Sequence, residues 1–244
     1  MEKTTSKQQT VYGLRPVMEA IGSGTQVERV LIQNGLNSSL MSELRALIKE
    51  HDVPFQYVPV EKLNKMTTGN HQGVVALLAA ITYRSFMEVA ETARLVVLLD
   101  HITDVRNMGA IARTAECTGV DAIVVPDRGS AALNEDAIKT SSGALLRLPV
   151  CREQNFKTVV NLAKQYGMQV VAATEKGAVH YREVDFTQPT LLIMGNEEHG
   201  ISPELLKMSD VRAKLPIVGE VASLNVSVAS GVMMYEALEQ RQNS

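Results

Sequence analysis

Three polar segments in the C-terminal half of the chain carry side chains suited to binding an anionic ligand. They span residues 107–113, 194–200 and 223–229, each follows an apolar run, and together they are rich in Asn, Ser, Glu and Arg. In an open parallel sheet, the carboxyl ends of the strands form the ligand-binding edge. The three segments are therefore predicted to converge on one pocket.

The first segment contains the arginine best placed for chemistry. Arg113 lies six residues after Asn107, less than two helical turns, so it can reach back toward the same pocket. Its guanidinium can hold a phosphate bidentately, although an ordinary surface arginine is the alternative. The segment has local explanations as well, since Asp104 or Asn107 can cap the following helix and Gly109 permits close helix packing.

The second and third segments can also be explained in part by helix capping. Ser202 and Pro203 suit the start of a helix, and Ser223 is predicted to cap the last one. Capping does not explain the pair Asn225 and Ser227, which lies among apolar residues in the first turn of that helix. A metal site is not expected, because no second His or Cys stands at ligand spacing from the histidine of the second segment.

Length and composition indicate a globular protein of one large or two modest domains. The chain has 244 residues, 45% of them apolar, and a net charge of −3, which is weak evidence against an RNA substrate. Cys117 and Cys151 lack metal-type spacing and are predicted to be buried free thiols in a reducing cytosol. No apolar stretch reaches membrane-spanning length, and residues 1–9 are polar without a signal-peptide core. We therefore expect a cytoplasmic protein with a disordered tail over residues 1–9.

The periodicity of apolar residues indicates two regions of alternating helix and strand. The first region is small, and its predicted elements are a helix at 12–21, a strand at 27–33, a helix at 38–50, a strand at 54–60, a helix at 62–67 and a strand at 73–80. Residues 83–92 are predicted to form a linker helix. The second region has strands at 95–99, 122–125, 170–173, 191–194 and 211–215 and helices at 107–118, 134–140, 156–166, 203–208 and 224–240. This alternation predicts an α/β fold with a parallel sheet covered on both faces.

Several common enzyme motifs are missing from the sequence. It has no GxGxxG after the first strand, no GxxxxGK[ST] phosphate loop and no GxSxG nucleophile elbow. An ordinary dinucleotide fold, a P-loop enzyme and an α/β-hydrolase are therefore not supported.

In order and context, the three segments resemble the motif set of the SpoU/TrmH branch of the SPOUT methyltransferases. The matching residues are 104–107, Gly109 and Arg113 in the first motif; Gly195, Asn196, Glu197 and Gly200 in the second; and Pro216, Ser223, Leu224, Asn225, Ser227 and Ala229 in the third. The chain departs from the family at Val105-Arg106, where many members have a proline, and at Glu198-His199. Residues 12–13 and 71–73 are similar to the substrate-binding domain, of the ribosomal protein L30e type, that many members carry.

The resemblance implies a domain organisation and an activity. It implies a tail at 1–9, a small L30e-like α/β RNA-binding domain at 10–80, a linker at 81–93 and a methyltransferase domain with a trefoil knot at 94–244. The implied reaction is methyl transfer from S-adenosylmethionine, without a metal, to the ribose 2′-hydroxyl of a guanosine in large-subunit (23S) rRNA. Family members are homodimers whose active sites border the subunit interface, and an apolar face of the last helix, with Val232, Met233, Tyr235 and Leu238, is the candidate interface.

The resemblance also implies roles for individual residues. The predicted catalytic residues are Arg113, Glu197, Asn107, Ser227 and Asn225. The predicted donor-binding residues are Met194, Gly195, Asn196, Gly200, Ile217, Leu224 and Ser227. The predicted RNA-binding residues are Arg15, Lys62, Lys65, His71 and Arg113.

Three other functions stay open at this point. The same motifs would serve an enzyme that methylates tRNA or an rRNA nucleotide at an antibiotic site. A non-catalytic RNA-binding or ribosome-assembly factor could keep the fold without the reaction, and would be recognised by a failure to bind the donor. An α/β enzyme for a small metabolite would be active without RNA.

Overall fold

The computed structural model describes residues 10–221 and 223–243. The chain divides into two compact units, the first ending at Thr82 and the second beginning at Tyr83. The predicted disordered tail, residues 1–9, lies outside the described residues.

The first unit is a small mixed sheet with helices on both faces. Its elements are β1 (Thr10–Tyr12), α1 (Leu14–Gly22), β2 (Val27–Gln33), α2 (Ser39–Glu50), β3 (Phe55–Val58), α3 (Val60–Met66) and β4 (Val74–Leu78). The strand order is β1-β4-β2-β3, in which β4 runs antiparallel to both neighbours and β3 parallel to β2. Helices α1 and α2 bury Val17 and Leu44 against Ile32 on one face. On the other face, Leu63 of α3 packs with Leu31 and Val75.

The second unit is built on a parallel sheet of eight strands among the described residues. Its elements are β5 (Tyr83–Arg84), α4 (Met87–Ala90), β6 (Leu95–Asp100), α5 (Val105–Cys117), β7 (Ala122–Pro126), α6 (Glu135–Thr140), β8 (Val150–Glu153), α7 (Phe156–Gln165), β9 (Gln169–Ala173), β10 (Val179–His180), β11 (Thr190–Gly195), α8 (Pro203–Met208), β12 (Val211–Lys214) and α9 (Val226–Gln242), with 3₁₀ turns at Ala144–Leu146 and Tyr181–Glu183. The strand order is β10-β12-β9-β11-β6-β7-β8-β5, and every pair is parallel. The predicted α/β class is confirmed.

The central strands form because they are apolar along their whole length, as strands covered on both faces must be. Every residue of β6 is buried. Val96 and Leu98 pack with Val160 of α7 and Leu205 of α8 on one face of the sheet. Leu95 and the other alternate residues of β6 point to the opposite face, where α5 packs against α6 and α9.

The structure differs from the sequence prediction around residues 83–92. The predicted linker helix is wrong: β5 pairs with β8 at the edge of the parallel sheet, and only Met87–Ala90 is helical. The carboxylate of Glu153 fixes the turn between them by accepting the backbone N–H of Phe86 at 2.5 Å. Residues 83–93, expected to belong to a linker, therefore contribute a strand and a helix to the second unit.

The two cysteines are both free, but they differ in environment. Cys151 is buried in β8, and burial, reinforced by the nearby charge of Glu153, raises the pKa of its thiol to about 12. Cys117 is exposed at the end of α5, so the prediction that it is buried is wrong. Cys151 is therefore a protonated core residue at neutral pH.

Gly109 is required by the packing of α5 on α6. A Cβ at this position would lie 2.6 Å from Cβ of Thr140 and 3.1 Å from the carbonyl oxygen of Ala137. This confirms the packing explanation for Gly109. Asp104 is confirmed as the cap of α5, since its carboxylate accepts the backbone N–H groups of Arg106 and Asn107.

We predict that Gly109→Ala destabilises the protein by about 1–2 kcal/mol, because the strain of forcing α6 away exceeds the gain in helix propensity. Chemical denaturation followed by circular dichroism would measure this loss. Gly231→Ala in α9 is the control, since its Cβ would meet Thr114 at an ordinary 3.8 Å. The control should be neutral or stabilising by up to about 1 kcal/mol, and equal losses in both variants would contradict the packing argument.

Candidate active site

The sheet order brings the three polar segments to one edge. Strands β6 and β11 are parallel neighbours, with Leu99 beside Met194 and Asp100 beside Gly195 at their carboxyl ends. The first and second segments therefore leave the sheet side by side. The third segment follows β12, which is separated from β11 by β9 alone.

Asn107 connects one side chain from each of the three segments. Its Nδ2 donates a hydrogen bond to Oε1 of Glu197. Its Oδ1 accepts a hydrogen bond from Nδ2 of Asn225 at 3.1 Å. Both ends of the Asn107 amide are engaged, so the orientation of this side chain is fixed relative to all three loops. We call Asn107, Glu197, Asn225 and Ser227 the amide network.

Asn225 also forms the start of the last helix. Its Oδ1 accepts the backbone N–H groups of Ser227 at 2.9 Å and Val228 at 3.4 Å, and the hydroxyl of Ser227 at 2.5 Å. Asn225 is therefore the N-cap of α9, and the prediction of Ser223 as the cap is wrong. One residue both begins the helix and braces the first segment.

Asn196 and two glycines give the second segment its shape. The Asn196 side chain donates to the carbonyl of His101 at 2.8 Å and accepts the N–H groups of Glu198 and His199. Its backbone pairs in both directions with Gly200, at 3.1 and 2.8 Å. A Cβ at Gly195 would lie 2.3 Å from the carbonyl carbon of Gly200, so this tight turn requires glycine.

The buried carboxylate of Asp100, at the end of β6, connects the loops that carry the first and second segments. Asp100, only 2% exposed, accepts the backbone N–H of Ser202 at 2.7 Å and is paired with Nδ1 of His101 at 2.7 Å. Ser202 stands at the N-cap position of α8 with Pro203 in the first turn, but its side chain makes no capping bond. Sequence reasoning missed Asp100 as a connecting residue; the signal was a carboxylate closing an otherwise apolar strand.

A cavity of 340 Å³ lies beside the amide network, between the loops that follow β9, β11 and β12. Six residues predicted to bind the donor line it: Met194, Gly195, Asn196, Gly200, Ile217 and Leu224. The seventh, Ser227, lines a separate surface groove of 560 Å³ beside α9. Sequence reasoning missed residues 173–176, which form the end of β9 and the turn after it and are part of the cavity wall. The polar turn directly after a predicted strand could have indicated them.

The remaining predicted residues lie apart from this cavity. Arg113 is exposed on α5, lines neither the cavity nor the groove, and forms no hydrogen bond or ion pair within the described part of the chain. Arg15, Lys62 and Lys65 are exposed on helices of the first unit. His71 lies in the loop before β4, where its Nδ1 accepts the N–H of Gly73 at 2.9 Å and its Nε2 is 2.8 Å from Oδ1 of Asn64.

Each of the two units of the chain matches a known protein family. Both units match: residues 94–235 match the SpoU rRNA methylase family, and residues 10–84 match the family described as RNA 2′-O ribose methyltransferase substrate binding. The chain is thus an S-adenosylmethionine-dependent RNA methyltransferase. It belongs to the SpoU rRNA methylase family.

Relatives and solved structures agree with this assignment. A Staphylococcus haemolyticus protein of the TrmH family of tRNA/rRNA methyltransferases is 35% identical over 95% of both chains. The structure of an AdoMet-bound rRNA methyltransferase from Sinorhizobium meliloti has a TM-score of 0.62 at 25% identity, covering 94% of this chain and 86% of that one. The A. aeolicus TrmH/SpoU tRNA modifying enzyme is 34% identical with a TM-score of 0.58, but covers 65% of this chain and 81% of its own.

The 340 Å³ cavity suits S-adenosylmethionine. Its volume falls in the range of small-molecule sites. Met194, Ile217 and Leu224 are apolar residues of its wall, and the turn at Gly195 and Gly200 forms another part of its lining. Among the described residues, no group of three or more His, Cys, Asp or Glu side chains could hold a metal ion. The same residues include no helix long and apolar enough to cross a membrane.

We predict that Asn225→Ala weakens S-adenosylmethionine binding at least about fivefold and destabilises the protein by about 1 kcal/mol. The variant loses both the cap of α9 and the bond to Asn107. The first turns of α9 line the 340 Å³ cavity through Val226 and Ala229. Isothermal titration calorimetry and thermal melting would measure the two effects.

The matched control is Asn155→Ala, which removes the N-cap of α7. This variant should lower the stability of the protein by about as much as Asn225→Ala does, and it should leave the affinity for S-adenosylmethionine unchanged. Wild-type donor affinity in Asn225→Ala would show that the amide network does not shape the cavity.

Proposed function

We propose that this enzyme methylates the ribose 2′-hydroxyl of a guanosine in large-subunit rRNA. The observation that carries the proposal is the amide network, which fixes one side chain from each of three loops beside the donor cavity. An array of fixed polar groups next to a donor site suits positioning a hydroxyl for transfer.

Two solved structures support rRNA rather than tRNA as the substrate, because they cover different parts of this chain. The rRNA methyltransferase from Sinorhizobium meliloti covers 94% of this chain, a share that requires the first unit. The tRNA modifying enzyme covers 65%, close to the length of the second unit alone. The first unit matches a substrate-binding family, so substrate choice is expected to depend on it.

Residues of this chain would bind and orient the two substrates. Met194, Ile217, Leu224 and the turn at Gly195 would hold S-adenosylmethionine, which would supply an activated methyl group when bound. Glu197 uses one carboxylate oxygen for Asn107, which leaves the other to orient a ribose hydroxyl or the polar end of the donor. A carboxylate held in place in this way can accept the hydrogen bond of the ribose hydroxyl and fix its orientation.

Arg113 would act on the RNA rather than as a base. Arginine side chains hold their guanidinium proton too tightly to act as a base at neutral pH. Its exposed guanidinium, without a partner in the described part of the chain, can hold an RNA phosphate and stabilise developing negative charge on the ribose oxygen.

A homodimer would complete this arrangement. Val228, Val232 and Tyr235 of α9 are exposed to 52%, 36% and 55% and lie along the 560 Å³ groove, next to α5, which carries Arg113. An exposed apolar helix face of this kind is typical of a protein interface. Met233, predicted as an interface residue, is fully buried in its own unit, so that prediction is wrong. The return of the chain from β12 to α9, which packs on α5, supports the knot that the family resemblance implies.

In the first unit, Arg15, Lys62, Lys65 and His71 are proposed to contact the RNA. The first three are exposed, and their cationic side chains suit the phosphate backbone, which fixes position rather than sequence.

A methyl-transfer assay tests the proposal. The enzyme would be incubated with labelled S-adenosylmethionine and either unmodified large-subunit rRNA or tRNA, followed by alkaline hydrolysis, since a 2′-O-methyl group protects the adjacent linkage. We expect label in an alkali-resistant dinucleotide beginning with G, from rRNA. Label from tRNA alone would overturn the target, and absence of both donor binding and label would favour a non-catalytic RNA-binding protein.

We predict that Arg113→Ala lowers kcat by at least about a hundredfold, because a transition-state stabilising charge is lost, while the Kd for S-adenosylmethionine is unchanged. Arg113→Lys should recover only a small part of the lost kcat, since lysine lacks the two parallel N–H donors with which arginine holds a phosphate. Arg147→Ala, at an exposed arginine paired with Glu116, is the control and should keep normal turnover. Normal turnover in Arg113→Ala would exclude this role.

A further inference from the structure

His101, at the carboxyl end of β6, has a backbone conformation that few residues other than glycine adopt. Its φ is +60°, in the left-handed region. Such a conformation is strained for a residue with a β-carbon and persists only where surrounding contacts impose it. Glycine would avoid the strain, so the presence of histidine calls for an explanation from its side chain.

Three contacts fix the position of His101. The buried carboxylate of Asp100 accepts the Nδ1–H of the ring at 2.7 Å. The backbone carbonyl accepts the side-chain N–H of Asn196 at 2.8 Å. The ring lies over Gly129, where a Cβ would approach its Cδ2 to 2.9 Å, so glycine leaves room for it. The imidazole is therefore held in one orientation.

These contacts leave the other ring nitrogen free. The His101 side chain is 57% exposed, and Nε2 has no hydrogen bond within the described ranges. A buried carboxylate on Nδ1 and an open Nε2 are the arrangement by which proteins orient an imidazole toward a ligand. His101 contacts Asn196, the neighbour of Glu197 in the chain, but does not itself line the 340 Å³ cavity, so a ligand on Nε2 would be distinct from one in that cavity.

Two cationic side chains come next to the residues that contact the His101 ring. Gly129, beneath the ring, is next to Arg128, and the ring of Phe156, 6.4 Å from the imidazole, is next to Lys157. Both cations are paired at the surface, Arg128 with Asp127 at 3.5 Å and Lys157 with Glu204 at 2.7 Å. Exposed pairs of this kind are weak and exchange readily for a phosphate.

We propose that His101, oriented by Asp100, binds a backbone phosphate of the RNA substrate, with Nδ1–H donating to Asp100 and Nε2–H donating to the phosphate. The site lies on the β7 and β8 side of the amide network, so it holds a phosphate of the strand flanking the methylated nucleotide. The proposal rests on RNA as the substrate class and is independent of which RNA is methylated.

A structural explanation competes with this proposal: the strained backbone could serve only to aim the His101 carbonyl at Asn196. His101→Gly separates the two, because glycine adopts the same backbone conformation and keeps the carbonyl while removing the ring. Filter binding across a salt series would measure RNA affinity, calorimetry would measure S-adenosylmethionine affinity, and a thermal melt would report folding. The RNA probe is unmodified rRNA, or tRNA if the transfer assay labels tRNA.

We expect His101→Gly to bind RNA about tenfold more weakly, as loss of a charge-assisted contact predicts, with the salt slope reduced by about one. Its donor affinity should match the wild type, and the thermal melt should show a cooperatively folded protein. Ser142→Gly, at another left-handed residue (φ +54°), is the control and should bind RNA normally. Asp100→Asn keeps an acceptor for the Ser202 N–H but no longer orients the His101 ring as the carboxylate does, so it should also weaken RNA binding.

Two results would overturn the proposal. Unchanged RNA affinity in His101→Gly would show that the ring does not contact RNA. A loss of donor affinity in that variant would show that the ring instead braces the donor loop. Because RNA affinity is measured on the RNA that the transfer assay selects, and donor affinity is measured without RNA, a wrong choice of rRNA as the target would leave this test intact.

Discussion

The side chain of Asn107 is the interaction on which the proposed site depends. An amide has one donor end and one acceptor end, and here the donor meets Glu197 while the acceptor meets Asn225. Neither a hydroxyl nor a carboxylate could replace it without breaking one of the two bonds or rotating a partner. The parallel pairing of β6 and β11 makes this bridge possible, because it places the first and second loops side by side at the same sheet edge.

The fold could be predicted where burial leaves a strong pattern in the sequence. β6 and β11 are continuous apolar runs, and the helices between them show 3.6-residue periodicity, so the parallel sheet followed directly. β5, β8 and β10 were missed because they contain two to four residues and mix polar with apolar side chains. Such short strands exist because an edge of the sheet is already in place to pair with them, a property that local sequence does not carry.

The candidate site was partly visible in the sequence for a similar reason. The residues of the motifs could be named, and the cavity is lined by most of those assigned to the donor. The loop after β9 and the pair Asp100–His101 were not assigned, because their importance arises from strand order and from contacts such as Asp100 with Ser202, which are 102 residues apart. The cap of α9 was misplaced by two residues, since Ser223 and Asn225 are equally good caps by type and only the tertiary contact to Asn107 distinguishes them.

The separation of these partners along the chain has a consequence for synthesis of the protein. Asn107 and Asn225 are 118 residues apart, and β11 must enter the sheet between β6 and β9, which are made earlier. Folding dominated by such distant contacts is slow. A nascent chain emerging from the ribosome can complete the first unit early, but it cannot assemble the proposed site until the segment after β12 has been translated and has folded back. The growing polypeptide is therefore expected to be inactive through most of its translation, with a partly formed sheet that chaperones would have to protect.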